Sequence, residues 1–481
     1  MKKIRVEFLF MISFSLLLGT CAQKSEDGRP NIILFVVDDL GWTDLGYKGN
    51  TYNLTPNIDR IAREGTIFTN AYANAPNCAP TRACLLSGQY TPRHGVFTVG
   101  SPQRGESIYR KLIPPHNNTQ LSKDNLTFAE LLQNNGYVTA HFGKWHLGDG
   151  PTGPLQRGFD YNYGGNQAGH PKSYFSPYGN KDLPDGPEGE YLTDRLGQEV
   201  IKFIETHKDS TFLIYFPFYN VHTPIQGKPE LIKNFDDKNC ERIKCNATYA
   251  AMIQSVDIAI GNIFNALVET GLSQKTVILF TSDNGPYFPV STAEPLRGSK
   301  GMLYEGGIRV PAFIWHPDYN GKISTSDEPI ISIDFFPTLL DIAKIPVPDD
   351  KLLDGKSLLP IISGEFFSRE QLFWHFPAYL ERYPGVKHIW RTTPAGAMRK
   401  GPWKIIEFFE SNKVELYNLD DDISEAKDLS QDYPNILNEM ISDLHAWRKT
   451  TNAPFPTELN PAYNQKLFDQ KLDEIIAGNS D

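Results

Sequence analysis

Four runs of apolar residues predict strands that are buried on both faces. Asn31–Val37 is apolar and rich in β-branched residues, and it lacks the alternation of a half-exposed strand. Tyr137–Phe142, Thr211–Phe216 and Thr276–Phe280 follow the same pattern. Continuous apolar runs of this length are typical of the inner strands of a parallel sheet.

Helical segments lie between these runs. Leu192–Thr206 and Ala247–Thr270 have helical patterns, Gly271 closes the second of them, and Ile331–Ala343 predicts a further helix. The alternation of strands and helices predicts an α/β fold with a large, mostly parallel sheet. Because strand connections in such sheets are right-handed, the carboxyl ends of the strands should lie along one edge.

The last part of the chain predicts a separate, smaller domain. Leu372–Phe376, Ala397–Phe409 and Val414–Asn418 are strand-like, and a helix is predicted over about residues 435–449. We place the boundary near residues 363–364. The chain then divides into a leader (1–27), a large domain (28–364) and a C-terminal domain (365–481).

The leader has the pattern of an export signal. Lys2, Lys3 and Arg5 precede the apolar run Phe8–Leu18, which is too short to span a bilayer. The run ends in a Leu-Gly-Thr-Cys sequence that resembles a bacterial lipobox, so we expect an exported periplasmic or outer-membrane-anchored lipoprotein of a bacterium, with Cys21 lipidated. The alternative is an ordinary cleaved signal peptide, and any membrane attachment is expected only through the lipid.

Charge and cysteine content narrow the expected partners. The formal net charge of −10 argues against a nucleic-acid partner. Cys240 and Cys245 flank a short polar loop and could form a disulfide in an exported protein. Cys78 and Cys84 are nearly two helical turns apart, which is poor disulfide geometry.

Each predicted strand is followed by polar side chains, and these should meet at the common edge. Aspartate and asparagine offer only oxygen ligands, which suit Ca²⁺ or Mg²⁺ better than zinc. Lysine and histidine follow the other strands, and a divalent cation beside fixed cations suits a compact oxyanion. The residues concerned are Asp38, Asp39, Lys144, His146, His222, Asp283 and Asn284.

A cysteine is predicted beside the start of a helix. Pro80 suits a first helical turn, Ala83–Leu86 continues the helix and Gly88 ends it. Cys78 should then lie just before the N-terminus, with Arg82 one turn further on. We expect a thiol in that position to act on an anion. The alternative is a half-buried structural cysteine.

The residues from Cys78 to Arg82 match the C-x-P-S/T-R signature, and the chain resembles a type I (formylglycine-dependent) sulfatase of the alkaline-phosphatase superfamily, similar to bacterial carbohydrate and glycosaminoglycan sulfatases. The other family blocks follow in family order. They are Asp38-Asp39, Gly143–Gly148, Asp283–Gly285, Leu296–Lys300 and Glu305–Pro311. The resemblance also implies a C-terminal antiparallel sheet with one packed helix.

The resemblance implies that Cys78 is converted to formylglycine by a maturation enzyme. One hydroxyl of the hydrated aldehyde would attack sulfur, and the other would later expel the sulfate. The resemblance also implies a Ca²⁺ ion, with Mg²⁺ as the alternative, that lowers the pKa of the attacking hydroxyl. Its implied ligands are Asp38, Asp39, Cys78, Asp283 and Asn284.

Five basic residues complete the implied catalytic set. Arg82 and Lys144 would orient the diol, and His146 would act as the base in the second step. His222 and Lys300 would bind the sulfate and protonate the leaving oxygen. The sequence leaves open which of these two is the acid.

The expected substrate is a sulfated saccharide. Residues 166–172 and 373–399 carry aromatic and cationic side chains that would suit an acidic or sulfated sugar. The candidate contacts are His170, Lys172, His375 and Arg391. We expect an exo-acting glycosaminoglycan sulfatase, with 2-O-sulfated hexuronate ahead of 6-O-sulfated hexosamine. The rivals are a formylglycine-dependent phosphodiesterase or phosphonate hydrolase and a non-catalytic glycan-binding lipoprotein.

Overall fold

The structure is a computed structural model that describes residues 28–242 and 244–478. The predicted leader and its Cys21 lie outside the described residues. Export and lipidation therefore stay predictions.

The strands are numbered in chain order. They are β1 (Asn31–Val37), β2 (Thr66–Phe68), β3 (Ala71–Tyr72), β4 (Val138–Phe142), β5 (Tyr161–Tyr163), β6 (Phe212–Pro217), β7 (Thr276–Ser282), β8 (Ala312–Trp315), β9 (Thr325–Ser326), β10 (Ile330–Ile331), β11 (Gln371–Phe376), β12 (Leu380–Glu381), β13 (Trp390–Thr392), β14 (Ala395–Lys400), β15 (Trp403–Phe408) and β16 (Lys413–Asn418).

The α-helices are numbered in the same way. They are α1 (Pro56–Glu64), α2 (Cys78–Ser87), α3 (Thr91–His94), α4 (Phe128–Asn134), α5 (Leu192–Thr206), α6 (Pro229–Ile232), α7 (Ala247–Glu269), α8 (Glu305–Ile308), α9 (Phe335–Ile342), α10 (Leu359–Ser363), α11 (Pro434–Thr450) and α12 (Gln465–Ile476).

A mixed sheet of eight strands forms the centre of the large domain, and it confirms the predicted α/β class. Its order is β5-β4-β6-β1-β7-β8-β2-β9. The pairs that β1 makes with β6 and β7, and that β4 makes with β5 and β6, are parallel. The four strands predicted from apolar runs are therefore neighbours, and their carboxyl ends share one edge.

The central strand explains why its sequence is apolar throughout. Ile33, Phe35 and Val37 belong to the core on one side of the sheet, and the intervening residues belong to the core on the other side. Helices cover both faces, as α5 and α7 line the first core and α4 and α9 line the second. Both faces of β1 are therefore buried, as expected for a parallel strand between two helical layers.

The helix α7 is long and apolar enough to cross a membrane by composition alone. In the structure, however, 72% of its most apolar window is buried inside the protein. Its side chains contribute to the first core of the large domain. The helix is therefore placed as a core element.

The C-terminal part contains the antiparallel sheet β11-β14-β15-β16. The segment Ala397–Phe409, predicted as one strand, is instead a hairpin of β14 and β15, because Gly401 has a positive φ and turns the chain. The sequence prediction also missed α12, which follows α11. The predicted boundary near residue 364 falls between α10 and β11.

The predicted helix Ile331–Ala343 begins later than expected. Ile330 and Ile331 pair with β3, and the carboxylate of Asp334 accepts the Ile331 N–H. The helix α9 then starts at Phe335. The pairing with β3 takes up the backbone that would otherwise begin the helix.

We predict that stability falls as the pH drops below 6.5. Burial lowers the pKa of His94, His141 and His375 to about 3 in the folded state. Below pH 6.5 these imidazoles bind protons in the unfolded chain but stay neutral in the folded protein. Protonation therefore stabilises the unfolded state, and the free energy of unfolding falls as the pH drops toward 3. At pH 5 each of the three histidines should lower the free energy of unfolding by about 1–2 kcal/mol.

Urea unfolding at pH 7.5 and pH 5 measures this loss. His375→Gln should reduce it, because the amide keeps a donor for the Pro454 carbonyl but does not titrate in this range. His116→Gln, at an exposed position, is the matched control. An equal loss in the wild type and in His375→Gln would contradict the prediction.

Candidate active site

Cys78 is the first residue of α2, rather than the residue before the helix as predicted. Asn77 is extended and caps the helix, and Gly88 ends it in the left-handed region at φ 68°. Only 1% of Cys78 is exposed. The residue nevertheless lies at the floor of a cavity with a volume of about 440 Å³.

Three carboxylates surround this cysteine. Asp38 and Asp39 follow β1, and Asp283 follows the neighbouring parallel strand β7. One oxygen of each lies within 4.8 Å of the others and of the Cys78 Sγ. Asp39 has φ 61°, an uncommon conformation for a residue with a side chain, and its N–H donates to Asp283.

Each carboxylate is paired with a cation. Arg82 Nη2 lies 2.7 Å from Asp283 Oδ2, and Lys144 Nζ lies 2.5 Å from Asp38 Oδ2. Lys300 Nζ lies 2.6 Å from Asp39 Oδ1 and 3.2 Å from the Cys78 Sγ. Arg82 and Lys144 are almost completely buried, so they act beneath the cavity, whereas Lys300 lines it.

The acidic cluster fits a metal ion. Oδ1 of Asp38 and Oδ1 of Asn284 are buried and have no hydrogen-bond partner among the described residues. Unsatisfied buried oxygens of this kind are costly unless a cation or water satisfies them. The donor set of carboxylate and amide oxygens is the set that hard divalent ions prefer. The structure therefore contains a possible metal-binding cluster at the predicted residues.

Burial and neighbouring charges shift the pKa values of the residues at the cavity floor in different directions. Burial and the nearby Asp283 raise the pKa of Asp38. Burial also opposes ionisation of Asp39, but Lys300 outweighs it and holds the pKa of Asp39 below its usual value. Burial and Asp38 raise the pKa of the Cys78 thiol to about 12. With no ion bound, this raised pKa keeps the unmodified thiol protonated at neutral pH.

Two histidines face the cavity in a neutral state. Burial and the Lys144 charge lower the pKa of His146 well below its usual value, and burial and Lys300 lower that of His222 to about 4. His146 has φ 65° and packs on Gly169, where a Cβ would lie 2.5 Å from the ring. Nδ1 of His222 is 3.0 Å from the Thr223 carbonyl, which leaves Nε2 toward Asp39 at 3.8 Å.

Two of the four predicted substrate residues line the cavity, and the other two do not. His170 stacks on His222 with a centroid distance of 5.9 Å, and His170 and Arg391 line the cavity. Lys172 is exposed and is absent from the cavity lining formed by the described residues. His375 does not reach the cavity, contrary to the prediction: it is 1% exposed, contacts Phe97, and donates from Nε2 to the Pro454 carbonyl at 2.9 Å.

The sequence prediction missed several cavity residues. Val99 and Arg104 lie in a loop that carries no strand-end signal. Thr223 directly follows the strand-end residue His222, and Tyr383 lies between the short strands β12 and β13. The basic character of Arg104 was the only signal that could have drawn attention to it. The missed residues are Asn77, Val99, Arg104, Thr223, Tyr287 and Tyr383.

Comparisons with known proteins cover most of the chain. Residues 30–345 match the family model described as sulfatase, and residues 298–450 match the C-terminal region of N-sulphoglucosamine sulphohydrolase. A sulfatase of Formosa agariphila is 33% identical over 94% of this chain and 95% of its own. Mouse N-acetylgalactosamine-6-sulfatase is 30% identical over 76% and 72%. The crystal structure of Ps i-CgsB with k-i-k-neocarrahexaose is similar at TM-score 0.72 and 28% identity, covering 93% of this chain and 98% of that one.

We predict that Lys144→Met destabilises the protein strongly. The substitution leaves the Asp38 carboxylate buried without its ammonium partner, and breaking a buried pair from one side costs about 3–5 kcal/mol. Adding Asp38→Asn should recover part of the loss, because it removes the uncompensated charge. Urea unfolding of the single and double variants in the presence of a chelator measures both effects.

Lys181→Met is the matched control for this prediction. Lys181 pairs with Asp149 at 3.1 Å, but both side chains are largely exposed. Exposed pairs contribute little, so this variant should unfold like the wild type. Equal effects of the two lysine substitutions would contradict the proposed role of buried charge.

Proposed function

The chain belongs to the sulfatase family and is a sulfuric ester hydrolase, and we propose that it acts on carbohydrates, releasing sulfate from the chain ends of glycosaminoglycan oligosaccharides. The observation that carries this proposal is the cavity floor. Cys78, three carboxylates and Lys300 converge there, beside two neutral histidines. This arrangement can hold an anionic ester, supply a nucleophile and move a proton.

The nucleophile in this proposal is formylglycine made from Cys78. The hydrated aldehyde supplies a hydroxyl group in place of a thiol whose pKa is raised to about 12 by burial and Asp38. An unmodified thiol in this position would be a poor nucleophile at neutral pH.

We assign Ca²⁺ to the acidic cluster, with Mg²⁺ as the alternative. Such an ion supplies positive charge beside the nucleophile and the sulfate oxygens. Asp38 and Asn284 offer the unsatisfied oxygens, and Asp39, Asp283 and residue 78 would complete the set. Lys144 and Arg82 hold Asp38 and Asp283 in place from beneath.

The cavity-facing side chains divide the remaining work. Lys300 keeps its proton, because Asp39 and the Cys78 position raise its pKa despite burial, and it can bind a sulfate oxygen as a fixed cation. His222 presents Nε2 to the cavity, but Nδ1–H donates to the Thr223 carbonyl, so neutral His222 must accept a proton at Nε2 before it can pass one to the leaving oxygen. His146 is neutral and can accept a proton as a base.

The volume of the cavity and the name of a relative narrow the range of substrates that we propose. A volume of about 440 Å³ lies at the lower end of small-molecule sites and suits one or two sugar units, which supports exo action. The name of the mouse relative supports 6-O-sulfated hexosamine as the target. None of the described contacts favours the 2-O-sulfated hexuronate expected from the sequence.

We also propose that the protein is exported and matured before it acts. The leader pattern supports export, and the disulfide between Cys240 and Cys245 fits an oxidising compartment. Maturation would require a formylglycine-generating enzyme acting on Cys78. A lipid on Cys21 would be its link to a membrane.

We predict that a divalent ion stabilises the protein. After chelation, Ca²⁺ or Mg²⁺ at a hundredfold excess over its dissociation constant should raise Tm by about 3 °C in a chain of this length. Asp283→Asn should weaken this shift, because it removes a ligand charge. Asp257→Asn, at a buried carboxylate that binds the Ile58 N–H instead, is the control. A Tm that responds to neither ion would contradict the assignment.

We predict that turnover requires Cys78. The matured enzyme should release sulfate from one or more members of a panel of sulfated disaccharides, followed by ion chromatography. Cys78→Ala should lose activity by about a thousandfold or more, because an alanine side chain has no sulfur or oxygen on Cβ from which the aldehyde could be made. Cys84→Ala, which changes the other free cysteine of α2, should stay active.

The same panel tests the rival phosphodiesterase function. An aryl phosphodiester is offered beside an aryl sulfate, and kcat/KM should favour the sulfate. Preference for the diester would move the proposal to that rival. Unchanged turnover in Cys78→Ala would overturn the mechanism.

A further inference from the structure

Two arginines that line the cavity have no acidic partner. Arg104 donates from Nη2 to the carbonyl of Val99 at 2.8 Å, and Arg391 holds its guanidinium 4.0 Å from the centre of the Tyr383 ring. Neither forms an ion pair with any carboxylate in the part of the chain that the structure describes. Nε of Arg391 is buried without a hydrogen-bond partner there. Guanidinium groups with free donors in a cavity are suited to bind a carboxylate or a sulfate.

Arg391 lies beside the reaction centre. Its Nη1 is 3.5 Å from the carbonyl oxygen of Lys300, whose ammonium is 3.2 Å from the Cys78 Sγ. Gly301 permits this approach, because a Cβ there would lie 2.9 Å from Nε of Arg391. Lys300 thus contacts Arg391 through its carbonyl oxygen and the nucleophile position through its ammonium.

Packing holds Arg104 and Arg391 on the same side of the cavity. Trp390 is buried in the C-terminal part, so the alternation along β13 turns Arg391 to the other side, toward the cavity. Gly105 follows Arg104, packs on Trp390, and donates its N–H to Glu381 of β12 at 3.0 Å. The loop that carries Arg104 is thus attached to the hairpin that carries Arg391.

We infer that Arg104 and Arg391 bind a second anionic group, a carboxylate or another sulfate, on the saccharide that carries the scissile ester. The inference rests on the proposed function and narrows its substrate class to saccharides with two anionic groups. A chain with a net charge of −10 repels polyanions in general. Two uncompensated cations at the cavity give it a local attraction for such a substrate.

The test compares four substrates with the matured full-length enzyme. They are an aryl sulfate, a neutral sugar with one sulfate, a disulfated sugar, and a monosulfated disaccharide that contains a uronate. The wild type should show its highest kcat/KM on one of the last two, and the better of them identifies the second group as sulfate or carboxylate. Arg391→Met should lower kcat/KM on that substrate by about 10- to 100-fold.

The aryl sulfate distinguishes an arginine that binds the substrate from one that only holds Lys300 in position. It lacks the second anion, so Arg391→Met and Arg104→Met should lower kcat/KM on it at least tenfold less than on the preferred substrate. Arg391→Lys should recover part of the activity on the preferred substrate and part of its salt dependence. Arg63→Met, at an exposed position on α1, is the matched control and should behave as the wild type.

The outcomes distinguish this inference from the proposed function. Equal losses on the aryl sulfate and the preferred substrate would overturn the inference, since Arg391 would then act through Lys300. A wild type that hydrolyses all four substrates without preferring the doubly anionic ones would also overturn it. No hydrolysis of any of the four would count against the sulfatase proposal itself.

Discussion

Charge neutralisation in a buried cluster is the constraint on which the site depends. Three carboxylates lie close together at the cavity floor, where water is nearly excluded, and their mutual repulsion would be severe without compensation. Arg82, Lys144 and Lys300 each contact a different member of the trio. Oδ1 of Asp38 and Oδ1 of Asn284 still have no hydrogen-bond partner among the described residues. The charges of the cluster are therefore balanced, and these two oxygens remain available to bind a cation.

The fold supplies this cluster from the ends of neighbouring strands. Parallel pairing of β1 with β7 brings Asp283 to the adjacent Asp38 and Asp39, although more than 240 residues separate it from them along the chain. The start of α2 adds Cys78. Lys300 comes from the segment after β7, which also leads into the C-terminal part.

A second buried charge network ties the C-terminal sheet to this segment. Lys404 of β15 is fully buried and lies 2.8 Å from both Glu305 and Glu425. Glu305 opens α8, five residues after Lys300. The C-terminal part is therefore attached close to the reaction centre, and the hairpin of β12 and β13 can contribute Tyr383 and Arg391 to the cavity.

The sequence by itself determined four neighbouring strands of the eight-stranded sheet, the presence of a helix at Cys78 and the polar residues that follow those strands, because apolar runs and strand-end polar residues are local patterns. Only the tertiary structure decided the state and surroundings of these groups. Burial raised the pKa of the Cys78 thiol, and packing of the C-terminal sheet enclosed His375. A turn at Gly401 divided Ala397–Phe409 into two paired strands. Arg104 reached the cavity through contacts between its loop and a distant hairpin, and no local pattern encodes such a contact.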